Sequence, residues 1–168
     1  FLCFQICDNC PLHSFDDAVL DHILTIADEN GISLQVGMRG LKPGNIIQYL
    51  QIAKKLRSPF LRVVIDDIDF HPSVEEIIDI IKGLLFHLER EGIVLTIENH
   101  DRFPAKSLEY IIKQTSTRWV GICLDTCNSI GAGEGINELL PVLLPYTVNL
   151  HIKDFNIERV EHKMGFIV

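Results

Sequence analysis

The stretch IVLTIENH, residues 93–100, is a short apolar run that ends in three consecutive polar side chains, Glu98, Asn99 and His100. A run of this length rich in β-branched and apolar residues is typical of a buried strand. Polar and charged groups without partners at the end of a buried strand are strongly destabilising. We therefore expect these side chains either to reach water or to hold a ligand.

Five further apolar runs of similar length are spaced along the chain, about one βα unit apart. They are FLCFQI (1–6), ISLQVG (32–37), FLRVVID (60–66), WVGICLD (119–125) and TVNLHIKD (147–154). The segments between them have helical periodicity, which is the pattern expected for parallel strands joined by crossover helices. Because the spacing is even and no linker-like composition interrupts it, the sequence predicts one α/β domain over residues 1–168.

Several helix ends are indicated by capping residues. One helix is predicted to follow Ser14 and to end at Gly31, and another begins at the capping box of Ser73 and Glu76 and ends at Gly92. Three further helices are predicted at residues 45–56, after Pro104 and after Glu134.

Two architectures cover a parallel sheet on both faces, an open doubly wound sheet and a (β/α)8 barrel. A doubly wound nucleotide-binding domain carries a glycine-rich turn after its first strand, and the segment CDNCPLHSF (7–15) contains no glycine. The segment GAGEG (131–135) follows a late strand and matches no phosphate-binding motif, so we interpret it as a flexible βα loop.

The barrel is favoured by the positions of three polar residues, Glu98, Asp125 and His151. Each lies at the carboxyl end of a predicted strand, in three successive units, where barrel enzymes hold their active sites. Any one of them alone fits a helix cap, an ion pair or a core histidine, but their shared position favours one site. Two carboxylates and an imidazole suit a divalent cation, with Mn²⁺ preferred and Mg²⁺, Co²⁺ or Zn²⁺ also compatible.

Strand alternation places small and polar residues on the barrel interior. The interior set is Val94, Thr96, Glu98, Gly121, Cys123, Asp125, Thr147, Asn149, His151 and Lys153. The opposite face carries bulky residues that we expect to pack under helices, namely Leu95, Ile97, Ile122, Leu124, Val148, Leu150 and Ile152.

The motifs IENH, GICLDTCNS and NLHIKD make the chain resemble the xylose-isomerase-like barrels, a family of sugar-phosphate isomerases and epimerases, sugar-acid and inosose dehydratases, and endonuclease IV. The resemblance covers nearly the whole chain. It implies a (β/α)8 TIM barrel of which this chain contains about strands 2 to 7, lacking the first and last βα units. It also implies that Glu98, Asp125 and His151 bind one divalent ion together with a second Glu from the last strand, outside this chain.

The resemblance further implies an isomerase or epimerase that acts on a small sugar or sugar derivative through an enediolate. Glu98 and Lys153 are then the catalytic residues, the first moving a proton and the second hydrogen-bonding an oxyanion. The candidate substrate contacts are His100, Arg102, Asn128 and Arg39. Since the second Glu is absent, we expect this segment by itself to be almost inactive.

Three alternatives stay open at this point. A metal-dependent dehydratase of a sugar acid or inosose is one, because the same enediolate can lose a leaving group from the next carbon. A binding barrel without catalysis is another. A nuclease like endonuclease IV is disfavoured, because Asn128 stands where that enzyme has a zinc-binding His and because the net charge of −8 opposes nucleic-acid binding.

The composition suggests the compartment and the state of the cysteines. No apolar run approaches the roughly 18–20 residues of a membrane helix, and the first residues carry no basic region of a secretory signal, which predicts a cytoplasmic protein. Five cysteines in a chain of 168 residues are expected to be reduced thiols, including the C-x-x-C pair Cys7 and Cys10. Unpaired edge strands in an incomplete barrel make a homo-oligomer possible.

Overall fold

The computed structural model of the chain contains a six-stranded parallel sheet whose strands follow one another in chain order. The strands are β1 (Leu2–Ile6), β2 (Ile32–Arg39), β3 (Phe60–Val64), β4 (Val94–Glu98), β5 (Val120–Asp125) and β6 (Thr147–His151). A doubly wound sheet reverses its strand order at a switch point, whereas a (β/α)8 barrel keeps it sequential. The prediction of a partial TIM barrel is therefore confirmed.

The structure describes residues 2–100, 102–115, 118–153, 156–160 and 163–167, and in the last two ranges it describes the strands alone. Those two ranges form an antiparallel hairpin of β7 (Asn156–Val160) and β8 (Lys163–Ile167), separate from the parallel sheet. The sequence did not predict this hairpin, because its short segments mix charged and apolar residues without a clear period. Within the described ranges, no helix is long and apolar enough to cross a membrane.

Five α-helices connect or follow the strands of the sheet. They are α1 (Asp17–Glu29), α2 (Pro43–Lys55), α3 (Val74–Glu91), α4 (Ala105–Thr115) and α5 (Ile136–Leu143), with short 3-10 helices at Leu12–Ser14, Asn128–Ala132 and Leu144–Tyr146. The predicted capping box of α3 is confirmed, and its C-cap Gly92 has a φ of 68°. The cap of α1 is Asp16 rather than Ser14, since the Asp16 side chain accepts from the backbone N–H of Val19.

The outer faces of β4 and β5 pack under helices as predicted, and Leu95, Ile97, Ile122 and Leu124 are fully buried. The same expectation is wrong for β6. The outward residues Val148 and Leu150 of β6 are both 49% exposed and Ile152, just after the strand, is 79% exposed, since no described helix makes extensive contact with this strand.

Parallel pairing brings the carboxyl ends of the strands to one edge of the sheet and fixes which interior residues are neighbours. Glu98 of β4 is in register with Cys123 of β5, and Asp125 is in register with His151 of β6. The GAGEG segment lies after this edge, and its first residues belong to a 3-10 helix rather than to an open loop.

Candidate metal centre

The three predicted ligands lie together at the carboxyl ends of β4, β5 and β6. The Nδ1 atom of His151 is 3.3 Å from Glu98 Oε2 and 3.8 Å from Asp125 Oδ2. Both carboxylates are buried and the imidazole is half-buried. The structure thus brings Glu98, Asp125 and His151 to one place, and their role as metal ligands stays a prediction.

Both oxygens of Glu98 have donors from neighbouring strands and loops. Arg62 of β3 donates through Nε to Oε2, and Asn128 Nδ2 donates to Oε1 at 2.7 Å. Arg62 also donates through Nη1 to Asp8 Oδ1 at 3.1 Å. Burial raises the pKa of Glu98, but hydrogen bonds from His151 and Arg62 outweigh this effect and lower the pKa to about 2. Glu98 is therefore ionised at neutral pH.

Asp125 is fully buried and its two oxygens differ in their surroundings. Oδ1 accepts hydrogen bonds from the backbone N–H groups of Cys127 and Asn128, at 2.9 and 3.0 Å. Oδ2 lies 2.8 Å from Lys153 Nζ, close enough for an ion pair. The contact lacks hydrogen-bond geometry, however, so within the described residues Oδ2 is a buried oxygen without a hydrogen bond. Burial opposes ionisation of Asp125, yet its contacts hold the pKa well below the usual value.

Asn99 fixes the backbone beneath Asp125. Its Oδ1 accepts from the Asp125 N–H at 2.6 Å, and its Nδ2 donates to the Asp125 carbonyl at 2.9 Å and to Ser129 Oγ at 2.9 Å. The polar residues at the end of β4 can therefore be buried, because the side chains of Glu98 and Asn99 both have hydrogen-bond partners.

The Nε2 side of the His151 ring faces a second group of residues. It lies 2.7 Å from Gln5 Oε1, 3.3 Å from Asn149 Nδ2 and 3.5 Å from the thiol of Cys123. Contacts with Asp125, Cys123 and Glu98, in that order, raise the pKa of His151 well above its usual value. Burial raises the pKa of the Cys123 thiol.

These donors fit a divalent cation. Ligand atoms of Glu98, Cys123 and His151 all lie within 4.8 Å of one another. The Oδ2 of Asp125, which has no hydrogen bond among the described residues, lies by the other ring nitrogen of His151, 3.8 Å from Nδ1. Buried oxygen, nitrogen and sulfur donors in one cluster are typical of divalent metal sites. The types of donor atom determine which ion is preferred.

The predicted substrate contacts are spread around this edge of the sheet. Lys153 Nζ donates to Asn128 Oδ1 at 3.2 Å, so these two residues flank the carboxylates. Arg39 is the last residue of β2, and its Nε lies 3.4 Å from Asp8 Oδ2. With Tyr49 it borders a polar cleft of about 400 Å³.

His100 and Arg102 lie in the loop after β4. His100 is half-buried, and its carbonyl accepts from the Phe103 N–H at 3.2 Å. Arg102 donates through Nε to Asp66 Oδ2 at 2.8 Å, and its guanidinium stacks 4.0 Å from the Phe103 ring centroid. In the structure Arg102 therefore holds the loop after β4 to the loop that contains Asp66.

Sequence reasoning missed three residues of this cluster, Arg62, Gln5 and Asp8. The sequence did give a signal for Arg62, because it is the one charged residue within the strand FLRVV (60–64). In the structure its side chain is buried, and the residue is 7% exposed. Gln5 carried none, since its contact with His151 joins the first and last strands of the parallel sheet, 146 residues apart.

Comparisons with known proteins agree with this fold. The chain matches the family of xylose isomerase-like TIM barrels over residues 3–165. It is 30% identical over 163 residues to a 3-oxo-isoapionate decarboxylase of Pectobacterium atrosepticum, covering 97% of this chain and 59% of that protein. The chain therefore spans less than two thirds of this relative.

Two solved structures are similar in fold. A D-psicose 3-epimerase from Clostridium cellulolyticum H10, solved with D-tagatose, has a TM-score of 0.77 and 18% identity, over 90% of this chain and 63% of the epimerase. The IOLI protein, solved with a zinc atom, has a TM-score of 0.70 and 16% identity, over 94% of this chain and 64% of IOLI.

Proposed function

Since the chain belongs to the xylose isomerase-like TIM barrel family, we propose that the complete protein is a divalent-cation-dependent enzyme that acts on a small sugar or sugar derivative. The reaction we propose first is isomerisation or epimerisation through an enediolate. One observation carries the proposal, the convergence of Glu98, Asp125 and His151 at the carboxyl ends of three adjacent barrel strands. The similarity to a D-psicose 3-epimerase supports the substrate class.

A bound divalent ion supplies Lewis-acid stabilisation of the negative charge that develops at the substrate carbonyl. Glu98 is then placed to move a proton at the carbon beside that carbonyl. Lys153, whose ammonium lies beside Asp125 and Asn128, is in position to donate to an oxyanion. Asn128 offers its amide to Glu98 and thereby orients the carboxylate.

The outer part of the substrate would extend toward the loops after β1, β2 and β4. Arg39 at the polar cleft and His100 after β4 are the proposed contacts there. Arg102 has an indirect role in this proposal. Because its Nε donates to Asp66, it holds the loop after β4 in place.

Decarboxylation of a sugar-derived 3-oxo acid is the second candidate, and the 30% identical decarboxylase favours it. In that reaction the bond between the carboxylate carbon and its neighbour breaks, CO₂ leaves, and the electron pair forms an enolate that is then protonated. The enolate requires the same electrostatic stabilisation as an enediolate. No base has to remove a carbon-bound proton, which suits a Glu98 whose two oxygens both have donors.

The test is to incubate the complete protein with Mn²⁺ or Zn²⁺ in deuterated water, with a panel of ketoses and a panel of 3-oxo sugar acids. Isomerisation or epimerisation predicts a new sugar with deuterium at the carbon beside the carbonyl. Decarboxylation predicts release of CO₂ and deuterium at the carbon that lost it.

The variant that tests the site is Glu98→Gln, which keeps the shape of the side chain and removes its charge. We expect it, and removal of the cation by a chelator, to abolish turnover in either reaction. Full turnover by the chelated enzyme would contradict the proposal.

A further inference from the structure

Cys123 lies at the centre of the cluster and has no role in the function proposed above. It is fully buried, and its Sγ is 3.5 Å from His151 Nε2 and 3.9 Å from Glu98 Oε2. Its backbone is in register with Glu98, whereas Asp125 is two residues further along β5 and in register with His151. The thiol therefore lies one interior layer below the carboxylate of Asp125, and it still reaches the other two ligands.

The two carboxylates around this thiol are already paired with cationic side chains. The carboxylate of Glu98 is paired with Arg62, and that of Asp125 lies 2.8 Å from the ammonium of Lys153. Each negative side chain is thus already balanced by a cationic side chain from a strand or loop beside it. A divalent ion that enters the cluster needs negative charge that is not balanced in this way, because an uncompensated charge in a buried site is strongly destabilised.

Cys123 is the residue that meets this need. Within the described residues its thiol donates to Glu98, contacts His151 Nε2 and accepts from Asn149 Nδ2, so its hydrogen bonds include no arginine or lysine. As a thiolate it brings one negative charge that no arginine or lysine in contact with it balances, and the imidazole beside it, that of His151, is itself a ligand in the proposed set.

We propose that Cys123 is a sulfur ligand of the cation, forming with Glu98 and His151 a three-donor set that favours Zn²⁺ or Co²⁺ over Mn²⁺ and Mg²⁺. When the ion binds, the S–H bond breaks, the proton goes to solvent and the sulfur–metal bond forms. Soft thiolate ligands select zinc over manganese and magnesium. This inference rests on the proposed cation dependence, and it changes the preference for Mn²⁺ drawn from the sequence.

The experiment is a titration of the protein with Co²⁺, read by absorption. The protein carries Cys7→Ser and Cys10→Ser in every variant, so that the C-x-x-C pair contributes no signal. Binding through Cys123 produces a sulfur-to-cobalt charge-transfer band in the near ultraviolet. We expect this band to disappear in Cys123→Ser and to persist in Cys127→Ser, the matched control, because Cys127 is also buried but its thiol donates to the carbonyl of Lys153.

Cation affinities give a second measurement. Cys123→Ser should weaken Zn²⁺ binding by at least the roughly 10–100-fold measured for loss of residues around metal ligands, and should change Mn²⁺ binding little. Should Cys123→Ser fail to fold, X-ray absorption of the zinc-loaded parent protein answers the question, because a sulfur ligand lies about 2.3 Å from zinc.

Bound Co²⁺ without the charge-transfer band, or zinc with a shell of oxygen and nitrogen alone, overturns the role of Cys123. If the enzyme is then still cation-dependent, the proposed function stands without this inference. If the protein binds no divalent cation at all, both fail.

Discussion

Glu98 and Glu91 are two carboxylates with the same lowered pKa, about 2, in opposite regions of the molecule. Glu91 lies on the outside of the barrel at the end of α3, where Lys54 Nζ (2.6 Å), Gln51 Nε2 (3.1 Å) and Arg90 Nε (2.7 Å) donate to it. These donors tie α2 to α3 and cover the carboxylate, whose side chain is 5% exposed.

Glu98 has a similar number of donors but very different neighbours. Around it lie an imidazole, a thiol and a second carboxylate, one oxygen of which has no hydrogen bond in the described part of the chain. A lowered pKa therefore does not distinguish a structural ion pair from a reactive site. The distinguishing feature is whether further ligand atoms converge on the same space.

The largest expected difference between the two regions is in cation binding and turnover. Glu98→Gln should remove divalent-cation binding measured by calorimetry and lower turnover of the complete enzyme by at least the roughly 10²–10⁴-fold attributed to one acid–base group. Glu91→Gln is the control and should leave both unchanged. Equal losses in the two variants would show that Glu98 is no more than a structural carboxylate.

Removing the arginine beside each carboxylate should lower the free energy of unfolding much more at Glu98 than at Glu91. Arg62→Met leaves Glu98 buried without its guanidinium partner. We expect a loss of about 3–5 kcal/mol in the free energy of unfolding, measured with urea. Arg90→Met removes a half-exposed arginine from a carboxylate that keeps Lys54 and Gln51 as donors, so it should cost much less. Added Zn²⁺ should restore part of the loss in Arg62→Met, since the ion replaces the missing positive charge. A stability loss that zinc leaves unchanged would argue against a cation site next to Glu98.

Lys153 should affect affinity and turnover in opposite directions. Its ammonium lies 2.8 Å from Asp125 Oδ2 and competes with a cation for that oxygen. Lys153→Met should therefore tighten Mn²⁺ binding by roughly 30-fold, which corresponds to a repulsion of about 2 kcal/mol between a doubly charged ion and an ammonium about 4 Å apart in water. Turnover should fall, because the oxyanion loses a donor. Weaker binding of Mn²⁺ would mean that Lys153 stabilises the site rather than competing with the ion.

The smallest effect is the pH dependence of the outer carboxylate. The pKa of Glu91 is about 2 in the folded chain, against an ordinary value of 4.5. A lowered folded pKa gives stability that is present above about pH 4.5 and is lost as the pH falls toward 2. The difference in unfolding free energy between the parent protein and Glu91→Gln should thus shrink over this range. A difference that stays constant from pH 7 to pH 2.5 would show that packing, and not the charge of Glu91, stabilises this contact.

The sequence by itself determined the elements of this fold that depend on neighbours along the chain. Apolar runs of strand length gave the parallel strands, and the Ser73 and Glu76 capping box gave the start of α3, because these patterns act within a few residues. The carboxyl ends of parallel strands share one edge, so Glu98, Asp125 and His151 were predicted to meet there.

The tertiary structure alone decided how the charges and the thiol of the cluster are paired. Arg62 reaches Glu98 across 36 positions, and His151 reaches Gln5 across 146. The closeness of Cys123 to both Glu98 and His151 depends on the register of β5 with its two neighbours. Periodicity assigns a residue to the interior face of a strand, but only the pairing of strands distant in sequence sets which interior side chains come within bonding distance.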